Sequence, residues 1–363
     1  MFPFTAFVDQ EDLKLGLLIA IVNPKVGGVL LTGEKGTGKT TLVRSLAEIL
    51  PEIEVVKGCP FHCDPHDRSK QCPECRKKHK IEIEKIPMQI VELPIGATED
   101  MVLGTINIEK ALKEKEISFN MGILGKANRN ILYIDEVNLL PDYLVDVILD
   151  AAATGWNTVE REGISYSHPA EFILIGSMNP EEGDLRPQLL DRFGLSIEVK
   201  PLKDPGLRVE VFRRREAFDK DPEEFRKRFE KDQQELKERV ALARKILKDV
   251  TIPDEIMLRT SELMITLGVK SNRAEITTFR AAKAVAALEG RTTVEWRDIQ
   301  RVVKFAVFHR IPRDKFEEVK KLITENIENK VEVPENKDKK RNKTGIIDFF
   351  VQKVRGERGE KKS

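Results

Sequence analysis

Five short apolar runs punctuate the first half of the chain: GGVLLTG (27–33), IEVVKG (53–58), QIVELPIG (89–96), ILYIDE (131–136) and FILIGSMN (172–179). Each is rich in β-branched residues and bounded by turn formers, which predicts a buried strand. Stretches with helical character lie between them. That alternation predicts an α/β unit, a parallel sheet covered by helices on both faces. From about residue 220 the strands stop. DQQELKERVALARKIL sets Leu236, Val240, Ala243 and Leu247 on one helical face. TTFRAAKAVAALEG predicts a second helix, stopped by Gly290. TVEWRDIQRVVKFAVFHR predicts a third, opened by a Thr293 cap. The pattern divides the chain into an α/β domain over 1–205, a linker over 206–235, a smaller all-helical domain over 236–318 and a charged tail over 319–363, with PLKDPGLRVE as the hinge between the two packed units. The tail stretch NKVEVPENKDKKRNKTG has little to bury and is expected to be disordered.

With 363 residues the chain is long enough for two packed units. Charged residues make up 34% against 40% hydrophobic, at a net charge of only +1, so a soluble protein with a charged surface and no global pull toward nucleic acid is expected. No run of about eighteen apolar residues predicts a membrane span. The start, MFPFTAFVDQ, lacks the basic and apolar regions of a secretion signal, so the expected location is the cytoplasm.

The stretch LLTGEKGTGKTTL (30–42) carries the sharpest chemistry. Gly33, Gly36, Thr37, Gly38, Lys39 and Thr40 fit the phosphate-loop pattern, with Thr41 next to them and the required strand before and helix after. Glycines let backbone N–H groups turn inward around phosphates, Lys39 reaches the β and γ phosphates of ATP, and the Thr40 hydroxyl holds Mg²⁺. ILYIDEVN delivers Asp135 and Glu136 at a strand tip. Asp135 is placed to bind the magnesium and Glu136 to orient the attacking water. An apolar run ending in two acids is also how an ordinary strand meets solvent; the phosphate loop favours the catalytic reading. Asn179 ends another strand, where an amide can touch the γ-phosphate, and where Asn-Pro is also a common turn. Arg186 and Arg192 follow; a guanidinium near a γ-phosphate stabilises transition-state charge, and an arginine here equally makes a surface ion pair.

All four cysteines fall within CPFHCDPHDRSKQCPEC: Cys59, Cys63, Cys72 and Cys75, with His62, His66 and His79 close by. The x₃ and x₂ spacings let each pair reach one tetrahedral ion, and a reducing cytoplasm favours structural Zn²⁺ over a disulfide. Reactive redox thiols and free cysteines are the alternatives. In the tail, KTGIIDFF (343–350) is an apolar island with Ile346, Phe349 and Phe350 on one helical turn. It resembles the peptide that binds the DNA sliding clamp, with Lys343 where the leading glutamine usually stands. The other reading is a turn that packs on the protein's own surface.

Taken together, FPFTAFVDQEDLKLGLL, GGVLLTGEKGTGKTTLVRSLAEILP, the long run from ILYIDEVNLL to LLDRFGL, and SNRAEITTFRAAKAVAALEG resemble the AAA+ ATPase subunit of magnesium chelatase, over roughly residues 1–312. The resemblance implies an AAA+ phosphate-loop core with a smaller helical lid. It implies that Asn179 is the first sensor, that Arg192 is an arginine finger acting on ATP held by a neighbouring subunit, and that Arg273 is the second sensor, reaching ATP in its own subunit. It places Val8 and Asp9 near the adenine. It further implies a homo-oligomeric ring, commonly of six, and a larger partner subunit with an integrin-like domain that inserts a metal into a tetrapyrrole. Two inserted hairpins mark this branch, TINIEKALKEKEISFNMGILGKAN and GWNTVEREGISYSHPAEF. The second also reads as a hairpin from its alternation about Glu162-Gly163. A remodelling ATPase at DNA, recruited by residues 343–350, and a MoxR-like chaperone are the other functions weighed.

Overall fold

The computed structural model describes residues 1–107 and 118–311. Helix α1 (Glu11–Val22) leads to strand β1 (Val29–Thr32), a loop and helix α2 (Lys39–Ser45). Strands β2 (Glu52–Val56) and β3 (Ile83–Pro87) flank the cysteine-bearing segment, which holds helix α3 (Pro73–Lys77). Next come β4 (Ile90–Leu93), α4 (Glu99–Leu103), β5 (Gly104–Asn107), β6 (Ser118–Met121), α5 (Ile123–Ala127), β7 (Ile131–Ile134) and α6 (Asp142–Thr154). They are followed by β8 (Trp156–Arg161), β9 (Ile164–Pro169), β10 (Ile173–Met178), α7 (Pro187–Arg192) and β11 (Leu195–Glu198). The remainder is helical: α8 (Pro205–Lys220), α9 (Pro222–Ile246), α10 (Asp254–Thr266), α11 (Asn272–Leu288) and α12 (Trp296–Val307).

The central sheet runs β11-β1-β10-β7-β4, with every neighbouring pair parallel. Helices cover both faces, so its inner strands are buried on both sides and read as unbroken apolar runs. β7 and β10 are buried at every position. One expectation is corrected here. IEVVKG does form a strand, but β2 pairs antiparallel with β3, Ile53 opposite Ile86, outside the central sheet. Its outward positions are acidic, Glu52 and Glu54, so only one face is fit for burial. The fifth central strand is instead β11, an edge strand whose two apolar residues, Leu195 and Ile197, alternate with polar ones.

One core face packs α1 and α2 with residues of α9, α11 and α12, which ties the helical part to the sheet. The other packs α5, α6 and α7. Leu236, Val240 and Ala243 are buried as their spacing predicts, while Leu247 is half-buried beyond the end of α9. The 206–235 stretch, read from sequence as a linker, contains α8 and the first half of α9. Gly290 (φ +73°) ends α11 with paired bonds, Gly290 N–H to Ala287 O at 2.9 Å and Arg291 N–H to Ala286 O at 2.8 Å. The Thr293 cap is corrected. Thr293 pairs with Thr251 in a β-bridge, and α12 is opened by a reciprocal box between Glu295 and Asp298.

Both hairpins are antiparallel pairs, β5 with β6 and β8 with β9. Residues 108–117, the tip of the first, lie outside the described residues, as does the 343–350 island. At the second tip Glu162 and Gly163 both take positive φ, +48° and +78°, as a two-residue turn between right-twisted strands requires. Among the described residues no helix is long and apolar enough to cross a membrane.

Candidate functional site

The phosphate loop leaves the end of β1. Gly36 (φ +81°) and Gly38 (φ +84°) give it a left-handed turn that side-chain-bearing residues rarely adopt, and a side chain at Gly36 would meet nothing within 4 Å. The concavity is therefore open. At Gly33 the constraint is packing, since a Cβ there would come within 2.5 Å of the Val199 carbonyl. Lys39 opens α2 and is buried. Its ammonium donates to the loop's own carbonyls, Gly33 O at 2.6 Å and Glu34 O at 2.8 Å. Among the described residues it makes no ion pair. Burial pushes its pKa down against the pull of Asp135, Glu136 and Glu182. A buried cation that is satisfied only by neutral carbonyls, beside an open loop, fits an anionic phosphate chain.

Asp135 follows β7 and faces α2. Its carboxylate accepts from the Thr40 hydroxyl (3.1 Å), the Tyr133 hydroxyl (2.9 Å) and the Ser177 hydroxyl (2.5 Å). Burial alone would raise its pKa; these three donors and Arg44 outweigh it and hold the carboxyl below its ordinary value. Burial also pushes the Tyr133 hydroxyl up to about 12, so it stays a donor. An ionised carboxylate beside a threonine hydroxyl is a hard oxygen pair that suits Mg²⁺.

Glu136 stands in the left-handed region (φ +55°), uncommon for a residue with a side chain, and its N–H donates to Ser177 Oγ at 3.1 Å. Its carboxylate lies 3.5 Å from the Lys35 ammonium, which also pairs with Glu182. Asn179 is buried and caps the next turn, accepting from Glu181 N–H at 3.2 Å. Lys39, Thr40, Thr41, Asp135, Glu136 and Asn179 line one cavity of about 270 Å³. A second, of about 450 Å³, continues along Gly36, Thr37 and Gly38 to Phe7, Val8, Leu202 and Val211. Its apolar wall suits a flat ring. Val8 lines it; Asp9 (φ +57°) is exposed and does not.

The arginines sit elsewhere. Arg192, at the end of α7, pairs with Asp150 at 2.5 Å and Asp146 at 3.4 Å on α6. Arg186 pairs with Asp142 at 2.5 Å. Arg273, at the start of α11, reaches Asp191 Oδ2 at 3.0 Å, beside Arg192 in the chain. Arg310, almost fully buried, holds the same carboxylate at 2.9 Å. Neither Arg192 nor Arg273 lines either cavity.

Away from this site, Cys59, Cys63, Cys72 and Cys75 are all buried, and their sulfurs lie within 4.8 Å of one another. Cys59 Sγ and Cys72 Sγ are 3.9 Å apart, and the Cys72 N–H donates to Cys63 Sγ at 3.1 Å. A disulfide needs about 2 Å. The nearby histidines point to other partners: His62 Nδ1 meets Asn130 Nδ2 at 3.2 Å, and His66 Nε2 meets Glu54 at 2.7 Å.

Comparison with known proteins follows the same lines. The AAA lid domain family matches residues 258–330. The magnesium-chelatase subunit ChlI homolog of Methanocaldococcus jannaschii is 51% identical over 341 residues, covering 93% of each chain. The chain belongs to the magnesium-chelatase ChlI family of AAA+ ATPases. ChlI of Nostoc sp. is 50% identical over 88% of this chain and 86% of its own. The chloroplastic ChlI of Chlamydomonas reinhardtii is 51% identical over 88% of this chain and 78% of its own. A chain in a structure of the BchI–BchD magnesium chelatase complex shares 45% identity and a TM-score of 0.51, covering 88% of this chain and 99% of that one.

For this ChlI-family ATPase, sequence reasoning named Lys39, Thr40, Asp135, Glu136 and Asn179 across three separate segments, and the fold brings them to one cavity. It missed Tyr133 and Ser177, the donors that fix Asp135. Each carried a signal. Tyr133 lies two residues before Asp135, on the same face of its strand, and Ser177 is a hydroxyl inside an otherwise apolar run. Lys35, which pairs with Glu136 and Glu182, was given no role of its own, because it stands at a position the phosphate-loop pattern leaves unspecified.

Proposed function

We propose that this AAA+ ATPase is the ring-forming motor of a magnesium chelatase-like complex. On this reading it binds Mg-ATP and passes a change of shape to a larger partner with an integrin-like domain, which inserts a metal into a tetrapyrrole. The observation that carries the reading is the convergence of Lys39, the Thr40–Asp135 pair and Glu136 on one cavity. Lys39 and the backbone of Gly33–Thr41 bind the phosphates, Thr40 and Asp135 hold the magnesium, and Val8 belongs to the adenine pocket with Asp9 flanking it. When bound, the ion supplies charge neutralisation to the β and γ oxygens. Glu136 positions and polarises water, and Asn179 senses the γ-phosphate from the same wall. The partner in this reading is drawn from the related magnesium chelatase complex of BchI with BchD.

Arg192 is the finger, completed across a subunit boundary in a ring, commonly of six. Arg273 was expected to reach ATP in its own subunit; its seat on Asp191 beside Arg192 supports joint action on the neighbour's nucleotide instead. A structural zinc at Cys59, Cys63, Cys72 and Cys75 and a cytoplasmic location complete the reading. The sliding-clamp alternative rests on residues 343–350, which lie outside the described residues. The test is affinity capture from native extract with ATP, with and without residues 343–350. Recovery of a large integrin-domain subunit by both forms is the expected result. Tail-dependent recovery of a sliding clamp in its place would overturn it.

A further inference from the structure

The segment between β2 and β3 cannot hold itself by ordinary means. Among its residues the only regular pieces are a turn of 3₁₀ helix, Arg68–Lys70, and the five-residue α3. Its sequence, KGCPFHCDPHDRSKQCPECRKKHKIE, is dominated by charge and offers Phe61 as its one buried large hydrophobe besides the cysteines. Yet the four sulfurs are buried together at the centre of a satellite core. A tetrahedral Zn–S₄ centre places its sulfurs roughly 3.8 Å apart, and the Cys59–Cys72 separation of 3.9 Å matches that edge. The N–H of Cys72 aimed at Cys63 Sγ stabilises a metal-bound thiolate in the way outer hydrogen bonds orient ligands. Four sulfur ligands leave no open position, so the centre is structural.

What that centre holds is the unexpected part. Of the nine buried residues in the satellite core, four are the cysteines; three others come from the two family hairpins, Ile106 on β5, Val159 on β8 and Tyr166 on β9. The aromatic rings continue the contact. Phe119 of β6 stacks on Tyr166 at 4.4 Å between centroids, and His168 of β9 stacks on Phe61 at 4.8 Å. The short helix between Cys72 and Cys75 is tied to the second hairpin as well. Glu74 accepts from the Tyr166 hydroxyl at 2.9 Å, and the Arg76 guanidinium lies 5.1 Å over the Trp156 ring. Both hairpins thus rest on the cysteine segment.

We propose that Cys59, Cys63, Cys72 and Cys75 bind one zinc ion and that this ion fixes the position of both hairpins, β5–β6 and β8–β9, against the ATPase core. The second half rests on the structural-zinc reading given above. Zinc loss loosens the hairpins while the nucleotide site, built on the central sheet, stays intact.

The test uses the full-length chain purified under reducing conditions. Elemental analysis should return about one zinc per chain, and mercurial titration of the four thiols should release it. Hydrogen exchange is then read on the native and chelator-stripped protein. The expected result is exchange faster by about tenfold or more over residues 104–107, 118–121 and 156–169, reversed by added zinc, with residues 39–45 and affinity for labelled ATP nearly unchanged. Cys63→Ser combined with Cys75→Ser should reproduce the stripped pattern; if that variant does not fold, the stripping experiment on the native chain decides alone. Less than roughly a tenth of a zinc per chain after incubation with the ion overturns both the metal site and its role. Full zinc content with unchanged hairpin exchange on stripping overturns the positioning role and leaves the site. A rise of equal size over residues 39–45 also overturns the local role.

Discussion

At the nucleotide cavity, the acidic, amide and loop residues all stand at or just beyond the ends of strands in the five-stranded sheet; at the cysteine cluster, none does. Asp135 follows β7, Asn179 follows β10, and the phosphate loop follows β1. The position of each is inherited from a sheet buried on both faces, whose strands cannot shift without disturbing the main core. The cysteine cluster has no such frame. Its order comes from side chains that meet one another, in a core small enough that the four thiols are nearly half of it. Chemistry that needs fixed geometry is placed on the rigid frame, while the two hairpins rest on a small satellite core of side chains.

If the two regions are independent, damage to one should leave the other whole. The largest effect is expected for Lys39→Ala, which removes the loop's buried cation. Losing its charge-assisted bonds to phosphate should weaken ATP binding by about 4 kcal/mol, roughly a thousandfold, in a calorimetric titration. Zinc content should not change; a parallel fall in zinc would break the comparison. Arg192→Ala should bind ATP normally and lose about a thousandfold in turnover. Mixing it with Lys39→Ala subunits should restore part of the activity, with assembly checked by sedimentation. Mixed rings without any rescue would refute action across subunits.

Glu136→Gln keeps the side chain's size and removes its base. Binding should persist and steady-state turnover fall by roughly a hundredfold or more. Normal hydrolysis by this variant would show that the water is polarised elsewhere. The smallest effect is expected for Tyr133→Phe, which deletes one of the three hydroxyls on Asp135 at a cost of about 1 kcal/mol. Asp135 has its carboxyl held below the ordinary 3.8, so its contribution to stability is present above that value and is lost as pH falls through the folded pKa. With a donor removed, the folded pKa rises, and the acid-induced loss should begin at higher pH in a melting series. Identical acid profiles would mean that Ser177 and Thr40 suffice.

The phosphate loop was legible because it is local: one short string fixes its own backbone, and its flanks announce strand and helix. The double-sided burial of β7 and β10 was legible for the same reason, since an unbroken apolar run says as much. Strand β11 was not, because an edge strand needs only alternating cover and LSIE is too short to stand out. β2 was assigned to the wrong sheet, since pairing partners depend on the whole chain. The grouping of the four cysteines followed from spacing, but their contact with Ile106, Val159 and Tyr166 joins segments far apart in sequence and leaves no local trace. Arg192 and Arg273 pair with carboxylates of their own chain. Their proposed task involves a second molecule, which no single sequence displays.

The pairing of β1 with β11 has one further consequence. The strands are parallel, Val29 opposite Leu195 and Thr32 opposite Glu198. The phosphate loop departs from the trailing rim of this pair, and Arg192 enters at the leading rim, about 13 Å away for four residues of strand. Gly194 seals the leading rim so tightly against Val26 that a Cβ there would lie 1.7 Å from its carbonyl oxygen. The two paired strands therefore hold the phosphate loop and Arg192 at a fixed separation on opposite rims. If Arg192 serves a neighbouring copy, as proposed, copies joined through these unlike rims follow one another nose to tail, and that fixed separation constrains how they close a circle.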